Sequence, residues 1–95
     1  MLIKKSGLED EIVTIKTSSG EEIVTKLIKE LEDCYLVSKP LVLTATSKGI
    51  TMVPYLFTVN PNKDIRLSKS VMLIELTEES AAKQYLQATT MIQMV

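Results

Sequence analysis

Acid–base chemistry in this chain would have to come from its acidic clusters: Glu9, Asp10 and Glu11; Glu21 and Glu22; Glu30, Glu32 and Asp33; Glu78 and Glu79. A general acid and a general base need two carboxyl groups facing one another across a cleft. Neighbouring residues on a strand point to opposite faces, so adjacency alone does not create that pair. Solvated surface charge is the reading these clusters support. Cys34, the one cysteine, could act as a nucleophile only beside a base that lowers its pKa, and no such residue is adjacent. A buried structural thiol is the expectation. The chain has no histidine, which removes the commonest general base and metal ligand. Gly7, Gly20 and Gly49 are too scattered for a phosphate loop, and no serine has an identifiable base. The expectation is a non-enzyme, with no catalytic residues, no metal and no cofactor.

What remains is architecture. Ninety-five residues predict a single domain. The apolar fraction of 45% is ample for a core, and with three Tyr, one Phe and no Trp that core must be largely aliphatic. Small domains bury a modest fraction of their surface, so self-association would help this one. The net charge of −1 argues against a strongly basic nucleic-acid binder, although a local basic patch remains compatible with it. No apolar run approaches the roughly 20 residues that span a bilayer. Residues 1–7 lack the apolar core of a signal peptide, and one cysteine cannot form an internal disulfide. A cytoplasmic location is expected.

Residues 1–10 read as a weakly ordered lead-in. Residues 12–17 are β-branched and predict a strand, followed by a tight turn at Ser18-Ser19-Gly20-Glu21. Residues 22–32 are ambiguous. Ile23, Leu27 and Leu31 recur at a helical spacing, whereas Ile23-Val24-Thr25 after a hairpin turn is strand-like. A long strand that bends near residues 29–31 is preferred, with a helix as the alternative. Residues 34–46 predict a strand in which Pro40 marks an edge or bulge, and residues 50–59 another, marked by Pro54. Asn60-Pro61-Asn62-Lys63-Asp64 is a loop. Residues 65–67 extend again, Ser68-Lys69-Ser70 turns or bulges, and 71–76 form the last strand. Thr77 is a candidate N-cap, with Glu78 and Glu79 at the positive end of the helix dipole. Ala81, Ala82, Tyr85, Leu86 and Thr89 share one face of a C-terminal helix over 77–92. The barrel itself spans 11–76.

This order resembles the Sm-like family, which includes Sm, Lsm and Hfq proteins. Gly20 and Ile23 fit the first family motif. Thr25 stands where a second glycine is usual, Leu31 falls on the Asp position with Asp33 two residues later, and Tyr35 falls on the Asn position. Ile65-Arg66 followed by Val71-Met72-Leu73-Ile74 resembles the second motif, with Leu67 in place of glycine and one extra turn residue. The C-terminal rather than N-terminal helix and the extra loop at 60–64 are departures. Tyr35, Lys39-Pro40-Leu41, Pro54-Tyr55 and the helix around Tyr85 resemble divergent Sm-like proteins of phage and marine environmental sequences.

The resemblance implies a mainly β fold: a small, five-stranded, strongly bent antiparallel barrel with a C-terminal helix. It implies a homo-oligomeric ring of roughly five to seven subunits, formed by heterologous strand addition. The edges would carry Thr51, Val53, Tyr55 and Phe57 on one side and Val71, Leu73 and Glu75 on the other. A monomer or simple dimer is the competing expectation. It further implies single-stranded RNA at the pore, held by Tyr35, Lys39, Arg66, Ser68 and Lys69, with Tyr35 stacking on a base. Against this, Glu30, Glu32 and Asp33 would repel phosphate, Tyr35 could be a half-buried strand residue, and Arg66 and Lys69 could be solvated turn residues. The other functional reading is an oligomeric structural or protein-interaction module of phage-related origin that binds no nucleic acid.

Overall fold

The computed structural model describes residues 7–93, with side chains described through residue 90. β1 (Ile12–Thr17) and β2 (Glu22–Glu30) form the expected hairpin, pairing from Ile12 opposite Lys26 to Lys16 opposite Glu22. The turn is closed by Gly20 N–H donating to the Thr17 carbonyl at 3.0 Å and Thr17 N–H donating to the Glu21 carbonyl at 2.9 Å. Gly20 has φ +99°, a left-handed conformation that side chains with a Cβ adopt at a cost. Open space surrounds that position, so the cost is conformational rather than steric. Gly20→Ala is expected to destabilise the protein by about 1–2 kcal/mol in urea unfolding; an unchanged midpoint would show that the turn relaxes freely.

β2 is a strand throughout, and the helical alternative is excluded. It pairs antiparallel with β3 (Cys34–Thr46) in a register that shifts twice. Between Val24–Leu41 and Lys26–Ser38, β3 holds the extra residue, at Lys39-Pro40. Between Leu27–Val37 and Lys29–Leu36, β2 holds the extra residue, Ile28. The two bulges offset one another, so the register of the first segment returns at Lys29 and Glu30. Lys39 adopts φ +50° at the first bulge. Pro40 lacks an N–H and is tolerated there because the ladder is already interrupted. Bulges bend a strand and increase its local twist.

β4 (Gly49–Pro54) and β5 (Ile65–Ser68) lie along the same edge of β3. β4 covers its second half, from Leu41 opposite Pro54 to Thr46 opposite Gly49, and β5 covers Cys34 to Val37. Together they occupy one strand position interrupted by residues 55–64. The expected single strand over 50–59 therefore stops at Pro54, and the described residues form six strands rather than five. β6 (Val71–Leu76) pairs with β1 at the other end of the sheet, giving the order β4-β3-β2-β1-β6 with β5 on β3. Although β5 and β6 are joined by a short turn, they do not pair with each other, so no ladder closes this sheet among the described residues.

The larger core cluster lies on one face of the sheet. Val13, Ile15, Ile23, Leu27, Tyr35 and Val37 are buried there, with Leu8, Tyr55, Ile65, Leu67, Val71 and Ile74 packed around them. The lead-in is tied down in its described part. Asp10 N–H donates to the Leu27 carbonyl at 2.7 Å, Leu27 N–H donates to the Glu11 carbonyl at 2.9 Å, and Leu8 joins the core. Residues 8–11 thus run along β2 instead of standing free, and residues 1–6 of the lead-in fall outside the described residues.

α1 (Glu79–Gln93) covers the opposite face, where Tyr85 packs on Val24 and Leu41 beside Ile12, Leu43, Met52 and Ala88. Its N-cap is Glu78, not Thr77. The Glu78 carboxylate accepts from the N–H groups of Ser80 and Ala81 and from the Ser80 hydroxyl, and the Glu78 carbonyl accepts from Ala82 N–H. The Ser80 hydroxyl first, then these backbone donors, hold the Glu78 carboxyl below its usual pKa. Thr77 is buried and used otherwise: its N–H donates to the Ile12 carbonyl, and its hydroxyl bonds that of Thr14 at 2.9 Å. Leu86, expected on the buried helix face, is 52% exposed.

Candidate functional site

The five residues proposed to hold RNA do not converge. β3–β5 pairing sets Cys34 opposite Ser68, Tyr35 opposite Leu67 and Leu36 opposite Arg66. Alternation along the strands then divides them between faces. Arg66 and Ser68 are exposed, and Arg66 forms no ion pair among the described residues. Tyr35 faces the core and is 8% exposed. Its ring lies under Lys69, whose Nζ is 5.4 Å from the ring centroid. Base stacking on Tyr35 would require that ring to be uncovered. Lys39 sits apart, at the bulge between β2 and β3.

Lys69 is already engaged. Its Nζ donates to the Glu30 carboxylate at 3.1 Å, and Glu30 is 7% exposed against 27% for Lys69. Glu30 N–H donates in turn to the Glu9 carboxylate at 2.7 Å. The acidic residue expected to repel phosphate near this turn thus neutralises the lysine expected to attract it. Ser68 organises the turn: its hydroxyl accepts from Ser70 N–H at 3.1 Å, while the Lys69 carbonyl accepts from Val71 N–H. Lys69→Ala is expected to cost about 1–3 kcal/mol, the range for a charge-assisted hydrogen bond to a buried group. Arg66→Ala should change stability by no more than about 0.5 kcal/mol. Equal effects of the two substitutions on the urea midpoint would contradict this division of roles.

The sheet's two ends provide the other candidate surface. Among the described residues no strand pairs with the outer edge of β4 or of β6, and each strand is six residues long. Exposed apolar side chains flank both: Ile50 at 72%, Met72 at 68%, Leu73 at 46% and Leu76 at 57%. Thr51 and Val53 lie on β4, and Val71, Leu73 and Glu75 lie on β6, as the resemblance implied. Val71 also packs against the core. Tyr55 and Phe57 are differently placed because β4 stops at Pro54. Tyr55 turns into the core with its N–H on the Pro40 carbonyl at 3.0 Å, and Phe57 is 84% exposed in the following loop.

A polar junction that the sequence reading missed joins α1 to the sheet. At the first bulge, Ser38 and Lys26 are paired in register, but a side chain enters between the strands. The Tyr85 hydroxyl accepts from Lys26 N–H at 3.1 Å and donates to the Ser38 carbonyl at 2.7 Å. The buried Thr25 hydroxyl donates to the same carbonyl at 2.7 Å. Burial holds the Tyr85 phenol above its usual pKa, opposed by the Lys26 N–H and the Thr25 hydroxyl. Buried tyrosines generally need a partner for the hydroxyl, and that was the available signal. The partner itself lies 59 positions away in sequence.

Together these features define a small antiparallel β-protein with, among the described residues, two unpaired sheet edges and a helix packed on one face. No protein-family model matches the chain, and no curated protein sequence matches it. No helix among the described residues is long and apolar enough to cross a membrane.

Proposed function

We propose that this protein is an assembly module of the Sm-like type, in which subunits join through the free edges of β4 and β6 into a closed ring. The observation that carries the reading is the pair of unpaired, equally long edge strands flanked by exposed apolar side chains. Such edges are templates for strand addition. Two different edges on one subunit make the contact heterologous, and a heterologous contact with the right rotation closes a ring. A strongly bent Sm-like barrel fits the strand order and the paired bulges.

The structural or protein-interaction role is favoured over RNA binding, because Lys69 is paired with Glu30 and Tyr35 is buried. The RNA reading retains Arg66 and Ser68 as exposed groups. If the origin is phage-related, the host cytoplasm is the compartment.

Light scattering should give a mass several times 10.6 kDa. Val53→Lys and Leu73→Lys should each reduce the protein to a monomer, since every contact then contains a lysine-blocked edge. An equimolar mixture of the two variants should form dimers and stop there, because each retains one good edge. A monomeric wild-type protein at roughly 100 μM, weaker than most specific contacts, would overturn the assembly reading. Titration of the intact assembly with uridine-rich and adenine-rich RNA then separates the two roles. Salt-sensitive binding lost in Arg66→Ala would favour RNA, and no binding at low salt would favour the protein module.

A further inference from the structure

All three prolines of the chain, Pro40, Pro54 and Pro61, line one cavity of about 210 Å3 beside the β2–β3 bulge. It opens where β4 leaves β3 and residues 55–64 loop outward before β5. Leu56, Val59 and Ile65 contribute further apolar wall, with Phe57 exposed at the rim. Proline rings fix the backbone φ, so these walls are largely set before anything binds. An apolar cavity of about 150 Å3 already admits benzene. This one takes a ring or a branched chain of slightly larger size.

Its charge is one-sided. Lys39 and Lys63 line the cavity, no acidic residue does, and neither lysine has an ion pair among the described residues. Asp64 follows Lys63 but is not part of the lining. Lys39 is held there by the bulge, in a left-handed conformation (φ +50°) uncommon for residues other than glycine, asparagine and aspartate. The three prolines of the lining carry no N–H donor. Lys39 and Lys63 beside an apolar lining match a negatively charged head on an apolar body. We infer that this cavity binds a small carboxylate, its apolar body among the three prolines, Leu56 and Ile65 and its carboxyl group between Lys39 and Lys63. The site rests on the β2–β3 bulge and the 55–64 loop and shares only Pro54 with β4.

The test is an amide-shift titration of the isotopically labelled full chain with phenylpropionate, set beside phenylpropanol and phenylpropylamine as neutral and cationic analogues. Phenylpropionate should give saturable shifts at Leu41, Phe57, Val59 and Ile65, with the alcohol at least about tenfold weaker and the amine silent. A tenfold loss is the size of one charge contact, about 1.4 kcal/mol. Lys63→Gln, in an exposed loop, should weaken phenylpropionate several-fold and leave the alcohol unchanged. Lys39→Asn should do the same, because asparagine tolerates the left-handed backbone. No saturation by roughly 10 mM, an affinity below that of useful recognition, would overturn the site. So would equal responses to all three compounds, or unaltered phenylpropionate binding in Lys63→Gln. Shifts at the cavity that track protein concentration without ligand would also overturn it, assigning the cavity to a second copy.

Discussion

Tyr85→Ala is expected to destabilise the protein by about 3–5 kcal/mol, the range for removing a large buried aromatic side chain. Two losses combine. The ring, 3% exposed, fills the space between α1 and the β2–β3 face formed by Val24 and Leu41. Its hydroxyl is also the group that satisfies Lys26 N–H at the bulge. Tyr85→Phe isolates the second loss. Lys26 N–H would lose its acceptor, while the Ser38 carbonyl would keep the Thr25 hydroxyl. Leaving a buried donor unsatisfied costs about 1–3 kcal/mol. For a domain whose total stability is about 5–15 kcal/mol, the alanine variant loses a large share. Urea unfolding followed by circular dichroism measures both, and hydrogen exchange at Lys26 locates the effect. If Tyr85→Phe matched wild type in midpoint and in Lys26 protection, the hydroxyl would have no structural role.

The same junction has a pH signature. Because burial raises the Tyr85 pKa above that of the unfolded chain, its contribution is complete below the ordinary tyrosine value of about 10. It is lost as pH rises through the higher folded value, where an anion would have to remain beside the sheet. Wild type should therefore lose stability in that alkaline range more steeply than Tyr85→Phe. Parallel curves would contradict the coupling.

Leu27→Ala should cost about 2–5 kcal/mol and Leu86→Ala no more than about 0.5 kcal/mol. Leu27 is 0% exposed on β2 and sits in the core with Ile15, Ile23 and Val37. Truncation there removes apolar burial and leaves a cavity that the surrounding sheet cannot fully collapse. Leu86 is 52% exposed on the solvent side of α1, so removing it forfeits little burial, and alanine is a good helix former. Both leucines lie on helical spacings in the sequence, Leu27 with Ile23 and Leu31, Leu86 with Ala82 and Tyr85. Thermal unfolding of the two variants separates them. Similar midpoints would mean that α1 buries Leu86.

Much of the framework was legible because it depends on local chemistry. The β-branched run at 12–17, the Gly20 turn, the loop at 60–64 and the C-terminal helix all rest on preferences acting within a few residues. Pro40 as a bulge marker belongs with them. The candidate site was legible only in part. Arg66, Ser68, Tyr35 and Lys69 do lie close in the β3–β5 region, but strand alternation and the Glu30 pair divide the exposed residues from those already engaged.

What the sequence by itself determined, then, is the strand character of this chain, its turns, its aliphatic core and its poverty in acid–base groups. The tertiary structure decided where each polar group spends its bonding capacity. Glu78 rather than Thr77 caps α1, because the Thr77 hydroxyl is taken by Thr14 of β1 while the Glu78 carboxylate accepts from Ser80 and Ala81 N–H. Lys69 is taken by Glu30, 39 positions earlier, and the bulge at Ser38 is closed by Tyr85, 47 positions later. β4 and β5 share one edge of β3 because the pairing stops at Pro54, and that break opens the proline-lined cavity. A hydrogen-bond donor or a charge is satisfied by whichever partner folding brings within about 3 Å. That partner is set by long-range packing, which local residue preferences do not encode.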